Sequence, residues 1–376
     1  MATSAIGPGF LTQTTVFTQQ LMASMGFVIL TSVIIDIVAQ LNIWLILTVN
    51  NQKASQLANG VLPGSGHLLT LLIVFGGLAF NIGNISGCGL GLQILFPVSV
   101  ETGSIISALL AIALFLFKDA GRAMDAFVKV LGILMLVLML YVAVTTQPPV
   151  AEVVYRTFLP ETIRLSTIVT LVGGTVGGYI TFAGAHRLLE AGKPLSRQEV
   201  RRSAVNGILL TAAMRVLLFL AVLGVLLKGA MLDAANPAAS VFQSALGVAG
   251  YKIFGVVLWS AAITSVVGSA YTSVSFLKTL HPVFDKNAKS TTVVFILIST
   301  VVFTLTGKPV AILLLAGAIN GFILPFSLGL MLWIVMKHKS PLYRHPQWLL
   351  WSGWLLVAVM LWMSVVTFVN ELPRLF

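Results

Sequence analysis

Long apolar runs separated by short polar stretches fill almost the whole chain, and their lengths predict its elements. A helix rises 1.5 Å per residue, so about 20 apolar residues cross the hydrocarbon core of a bilayer. On that basis the pattern predicts eleven spans, near 5–23, 26–48, 67–98, 101–117, 127–145, 166–190, 203–228, 250–279, 291–306, 310–336 and 348–370. The first is the least regular, because polar residues from Thr12 to Gln20 occupy its second half.

Two of these runs are interrupted. Gly173 to His186 carries five glycines together with Thr175, Thr181 and Tyr179, and near the N-terminus Ile6-Gly7-Pro8-Gly9 precedes the polar run. Glycine lets a helix open, and opened backbone at membrane depth is tolerated only where it faces a cavity, a ligand or other protein. A pair of interrupted spans predicts an inverted-repeat transporter whose solute binds between its two discontinuous helices.

Composition agrees: 58% of the 376 residues are apolar, 9% are charged and 33 are glycine. This is one all-α membrane domain spanning residues 1–376, with the lipid bilayer as its first partner. The formal charge of +11 does not imply nucleic acid, since the basic residues are scattered through short loops where they set topology. With the N-terminus inside, fourteen fall on the cytoplasmic side, among them Lys53, Lys118, Lys193, Arg201, Arg202 and Lys339. Six fall outside, among them Arg156, Lys308 and Arg374. This bias predicts a multi-pass protein of the cell (inner) membrane, N-terminus cytoplasmic and C-terminus extracytoplasmic. The first residues hold no basic region, so no cleaved signal peptide is expected. Cys88 is the single cysteine, which rules out an internal disulfide and a cysteine metal cage. Glycines 76, 77, 83, 87, 89 and 91 in the third run read as close helix packing, and Trp348, Trp351, Trp354 and Trp362 as a lipid-facing, interfacial surface.

Five stretches together resemble the natural-resistance-associated macrophage protein (NRAMP) family of divalent-metal transporters. They are Gly7 to Thr12, Ala79 to Gln93, Gly173 to Tyr179, Phe254 through Gly268, and Ala318 to Gly321 followed by Leu324-Pro325. The resemblance covers nearly the whole chain and rests on their order and spacing. It implies about 11 transmembrane helices: two inverted five-helix repeats of the leucine-transporter-like fold, about 5–145 and 166–336, and an extra helix at 348–370.

The family's metal chemistry is missing where the resemblance places it. Its Asp-Pro-Gly-Asn signature has no acidic counterpart between Gly7 and Gly26, where Thr14, Thr15, Thr18, Gln19 and Gln20 stand instead. Its Met-Pro-His signature falls on Gly177, Gly178 and Tyr179. The Asp and Glu of its proton path align with Asn81 and Asn84, and their arginine partners with Thr291 and Thr292. Divalent cations need charged oxygen ligands, or imidazole and sulfur for transition metals. Hydroxyls, amides, a phenol and the positive ends of half-helices suit a small organic carboxylate better. Thr14, Thr15, Thr18, Gln19, Gly177, Gly178, Tyr179 and Asn320 are therefore the candidate substrate contacts, and no metal site or cofactor is expected. Relatives of this type are often encoded beside 5-oxoprolinase subunits, and that resemblance makes 5-oxoproline a candidate solute.

Asp36 and Arg215 lie about 10 and 12 residues from the ends of their spans, which puts both near the bilayer centre. They read either as a structural ion pair or as a coupling pair or substrate counter-charge. Asn81 and Asn84 share a helical face, as a polar path or as interhelical glue. His186 is a candidate gate, and with Glu190 at i+4 it is also the one place two metal-ligating side chains could meet. The reading is a secondary-active transporter working by alternating access on a small organic solute, with a coupling ion as an open option. The alternative is a divalent-metal transporter with atypical ligands; a sensor is a third class, and catalysis is not expected.

Overall fold

The computed structural model describes residues 7–117, 120–192, 196–337 and 344–371, and the side chains of these except 120–129 and 371. Ile6 of the first expected span, and Lys118, Lys193, Lys339 and Arg374 of the charged loops, lie outside the described residues. Among those described there are fifteen α-helices and one 3-10 turn, with no strand.

The chain begins with α1 (Pro8–Leu21), which Pro8 opens at the first helical position behind Gly7 in extended conformation. A 3-10 turn at Met22–Ser24, entered through Met22 at φ 47°, leads into α2 (Met25–Asn50). The short α3 (Ala54–Val61) precedes the long α4 (Ser65–Leu95), and α5 (Val100–Leu116) starts from a Ser99 cap that accepts the Thr102 N–H at 3.1 Å. Next come α6 (Ala120–Thr146) and α7 (Val150–Phe158), bent from one another by 105°. The interrupted run forms α8 (Leu165–Thr175) and α9 (Ile180–Glu190). A Ser196/Glu199 capping box starts α10 (Arg197–Leu227). In α11 (Pro237–Leu277) Gly247 sits at φ 64°, and that left-handed residue kinks the helix. The chain closes with α12 (Pro282–Lys286), α13 (Ala288–Thr306), α14 (Pro309–Lys337) and α15 (Gln347–Glu371).

Each of the eleven expected spans falls on a helix or helix pair, but the count is not reproduced by length and hydropathy alone. Among the described residues eight runs are long and apolar enough to cross a membrane, or nine if α6 and α7 make one bent span. The shortfall has two sources: α1 and α2 count as one run of 43 residues, and α5 has only 17. The short helices α3 and α7, and the part of α11 before its kink, lie where the hydropathy pattern predicts loops.

This is a multi-pass membrane protein with a wide lipid-facing surface. Leu109, Phe117, Trp348, Trp351 and Trp362 are exposed, which suits a hydrocarbon surrounding rather than water. Inside, α4 lies against α11, α14 and α5, and α14 also packs on α8. The glycines of α4 mark its closest approaches: a side chain at Gly87 would meet Pro8, one at Gly91 Trp259, and one at Gly76 Asn320. Among the described spans the most enclosed is the broken one, Leu165–Glu190, with 83% of its most apolar stretch buried.

Candidate functional site

Residues Val176–Tyr179 are non-helical and separate α8 from α9 inside this buried span. The glycines act there through their size. None of Gly173, Gly174, Gly177 or Gly178 has a positive φ; they let the backbone touch its neighbours. A Cβ on Gly173 would strike the Gly317 carbonyl, one on Gly174 the Gln13 amide, and one on Gly178 the Ile323 side chain.

Backbone groups freed by the break find partners, as membrane depth requires. Gly177 N–H donates to the Val172 carbonyl at 3.1 Å, Gly178 N–H to the Asn320 carbonyl at 2.9 Å, and Tyr179 N–H to Asn320 Oδ1 at 3.0 Å. Thr181 N–H returns to the Val176 carbonyl at 3.1 Å. At the start of α9 the N–H groups of Gly178, Tyr179 and Thr181 are therefore occupied, which narrows the expectation of half-helix N–H groups free for a carboxylate. Asn320 is itself fully engaged, since its Nδ2 donates to the Gly76 and Ala316 carbonyls, both at 3.0 Å. Tyr179 is buried, and its hydroxyl donates to the Ser269 carbonyl at 3.1 Å.

In the described part of the first run Gly7 is extended ahead of Pro8, and from Pro8 to Leu21 α1 is unbroken, so its polar residues sit on a regular helix. Thr14, Thr15 and Thr18 are buried and donate to the carbonyls of Phe10, Leu11 and Thr14 at 2.8, 2.9 and 2.7 Å. Gln19 is exposed. Gln13, which sequence reasoning passed over, takes its place: Nε2 donates to the Leu313 carbonyl at 3.1 Å, while Oε1, buried beside Gly174, has no hydrogen-bond partner. Helical spacing was the available signal, because Gln13 follows Phe10 by three residues on the inward face.

Arg215 and Asp36 are 2% and 1% exposed. Arg215 Nη1 donates to Thr175 Oγ1, at the end of α8, at 2.8 Å, and its guanidinium lies 4.6 Å from the centre of the Phe10 ring. Its Nε and Nη2, and Asp36 Oδ1, have no partner. The ion pairs among the described residues are Arg156–Glu161, His186–Glu190 and Lys278–Asp285; Asp36 and Arg215 interact electrostatically without touching.

Asn81 and Asn84 are buried in a polar seam. Asn81 Nδ2 donates to Ser299 at 3.0 Å, Asn81 Oδ1 accepts from Ser269 at 2.8 Å, and Asn84 Nδ2 reaches Ser269 at 3.5 Å. Tyr179 joins this seam through the Ser269 carbonyl, so helices α4, α11 and α13 are tied to the break. Of the aligned threonines, Thr292 is buried and Thr291 half-buried, each bonded to its own helix.

His186, buried on α9, has Nε2 2.6 Å from Ser275 Oγ and 3.2 Å from Glu190 Oε1, and its ring lies tilted by 30° against Phe276 with the centroids 4.4 Å apart. Ser275 Oγ donates to Glu190 at 2.6 Å, so the hydroxyl proton is spent on the carboxylate and the three groups tie α9 to α11. Among the described residues no three His, Cys, Asp or Glu side chains gather as a metal site would require.

The family model for natural resistance-associated macrophage protein-like proteins matches residues 1–370. The chain belongs to that family. The uncharacterized membrane protein YcsG of Bacillus subtilis is 55% identical over all of this chain and 94% of its own length. Among solved structures, a mutant of the Eremococcus coleocola manganese transporter superposes with a TM-score of 0.74 at 16% identity, covering 98% of this chain and 85% of that one. MhsT in complex with L-phenylalanine gives 0.65 at 16% identity, covering 96% of each. At such identities the likeness is of fold: the chain has an Nramp-type transporter fold that also resembles leucine-transporter-type carriers.

Proposed function

We propose that this protein is a secondary-active transporter that carries a small organic solute, carboxylate or amino-acid-like, rather than a transition metal. The observation that carries the reading is the donor set around the break. Gln13, Thr14 and Thr15 on α1 and Gly174 to Tyr179, from the end of α8 to the start of α9, carry amides and hydroxyls, most of their donors engaged within the protein and the buried Gln13 amide oxygen unpartnered. A dehydrated divalent cation needs formal negative charge or soft ligands, and this set supplies neither. In this account α8 and α9 form the discontinuous helix of the second repeat (about 166–336), working against the first (about 5–145) in the inner membrane with the N-terminus cytoplasmic. Gln13 replaces Gln19 among the proposed contacts, and Asn320 shapes the site rather than reaching into it. Asn81 and Asn84 line the polar seam, and His186 gates its inner end.

The manganese reading of the Eremococcus coleocola protein is the rival, with His186 and Glu190 as its nearest footing in this chain. Reconstitution separates the two. Liposomes holding the purified protein should accumulate labelled 5-oxoproline, or another small acid from a panel, above empty liposomes and without response to Mn²⁺. Saturable Mn²⁺ uptake with indifference to every organic acid would overturn the proposal.

A further inference from the structure

Asp36 and Arg215 are opposite charges buried among the same helices, within electrostatic reach, yet not joined. Buried charges separated in this way are costly, since neither gains the close contact that offsets its desolvation. A merely structural pair would be expected to close; this one is held open.

What holds Arg215 is visible. Thr175 takes Nη1, the Phe10 ring lies against the guanidinium, and Thr175 Oγ1 in turn donates to the Leu171 carbonyl at 2.8 Å. The planar group is thus fixed with its other edge, Nε and Nη2, lacking any partner. That edge is the one with two parallel N–H groups, the geometry that grips a carboxylate with both oxygens. It belongs to a residue anchored at the last position of α8, next to the break, while Gln13 with its unpartnered Oε1 lies one helical turn from Phe10 and against Gly174.

Asp36 is buried on α2, which packs on both α8 and α10. Among the described residues no charge other than that of Arg215 is recorded as acting on it. Helix α1 has no ionisable side chain and α8 none; α14 has Lys337 at its very end; α7 contributes Glu152 and Arg156, the latter paired with Glu161. On α9, His186 and Glu190 are tied to Ser275, and Arg187 to Thr272 and the Gly268 carbonyl. The only ionisable residue of α15 is Glu371, its last. The remaining charges of α10, Arg197, Glu199, Arg201 and Arg202, are in its first two turns. Arg215 is the charge Asp36 senses.

With Asp36 ionised, the site without solute would carry one positive and one negative charge. A bound carboxylate would leave a net negative charge in a low-dielectric interior, which is unfavourable unless a proton is taken up. We propose that Arg215 anchors the carboxylate of the solute and that Asp36 is the proton acceptor coupled to it, so that one anion and one proton bind together. The step is a simple protonation: hydronium or a buffer acid gives its proton to an Asp36 carboxylate oxygen, the donor's bond to that proton breaks, and the conjugate base stays in solution. This inference rests on the organic-solute reading above.

The test is calorimetry on the purified full-length protein titrated with 5-oxoproline and a panel of small carboxylic acids, in buffers of different ionisation enthalpy, which counts protons exchanged on binding. The wild type should take up about one proton per acid bound near neutral pH, and its affinity should fall as pH rises. The neutral ring 2-pyrrolidinone should bind about tenfold more weakly or worse, as should 5-oxoproline to R215K, which keeps the charge but loses the paired N–H edge. D36N should bind the acid with no proton uptake. The wild-type proton count needs no variant to fold. Proton-free binding by the wild type, or uptake persisting in D36N, would overturn the coupling while leaving the organic-solute reading intact. Indifference to every acid would overturn both.

Discussion

Asn320 Oδ1 accepts the Tyr179 N–H at 3.0 Å while Asn320 Nδ2 holds the Gly76 and Ala316 carbonyls, so one side chain of α14 closes the break between α8 and α9 and ties it to α4. N320A should strand a buried N–H and at least one carbonyl, at a cost of about 2–4 kcal/mol. A thermal or denaturant melt of the purified variant measures this. Stability equal to wild type would mean that the break is not held by Asn320.

The glycines around the break predict a graded series. In G173A the added methyl group meets backbone atoms of Gly317 and Gly321, which cannot rotate away, and in G178A it meets Ile323. In G83A it makes ordinary contacts with Leu313 and Ala316 at 3.4 and 3.6 Å. The first two should lose about 1–3 kcal/mol each, and G83A should melt close to wild type. Equal effects at all three positions would remove the close-approach explanation.

Glycine density located the break in the sequence, because no other residue type permits such approaches in a buried span. The reason is steric fit and not the left-handed backbone that glycine also allows; those conformations occur at Gly64, Gly192, Gly229, Gly247 and Gly307, outside the break. Depth counting placed Asp36 and Arg215 in the interior but could not show that they stand apart, which depends on Thr175 and Phe10 holding the guanidinium. Gln19 and Gln13 differ only by helical phase, and hydropathy alone does not read phase in so short a polar run. The helices α3 and α7 are too short and polar to register as spans. Family membership was legible in the order of five weak motifs, none sufficient singly.

For the buried charges, a double-mutant cycle of D36N and R215M should give a coupling of about 1–2 kcal/mol, as expected for separated charges. D36N should be the milder single change, because Arg215 keeps its Thr175 and Phe10 contacts. A coupling near zero would mean that the two do not sense each other.

His345, just before α15, has Nε2 2.8 Å from Asn42 Oδ1, and burial pushes its imidazole down from 6.5 to about 4. The unfolded chain therefore binds more protons between these values, so stability is fullest above about pH 6.5 and declines as pH falls toward 4. Melting temperatures across that window should drop less for H345Q than for wild type. Parallel curves would show that His345 does not contribute to the acid sensitivity.

The central claim concerns the cargo, and the most direct measurement is a thermal-stability screen of the purified protein against Mn²⁺, Mg²⁺ and Ca²⁺ beside small carboxylic acids including 5-oxoproline. A ligand that binds only the folded state raises its melting point by mass action. The account predicts saturable stabilisation by an organic acid, diminished in R215K, and none by the metals. Saturable stabilisation by Mn²⁺ that is lost in H186A or D36N, with no response to any acid, would contradict it.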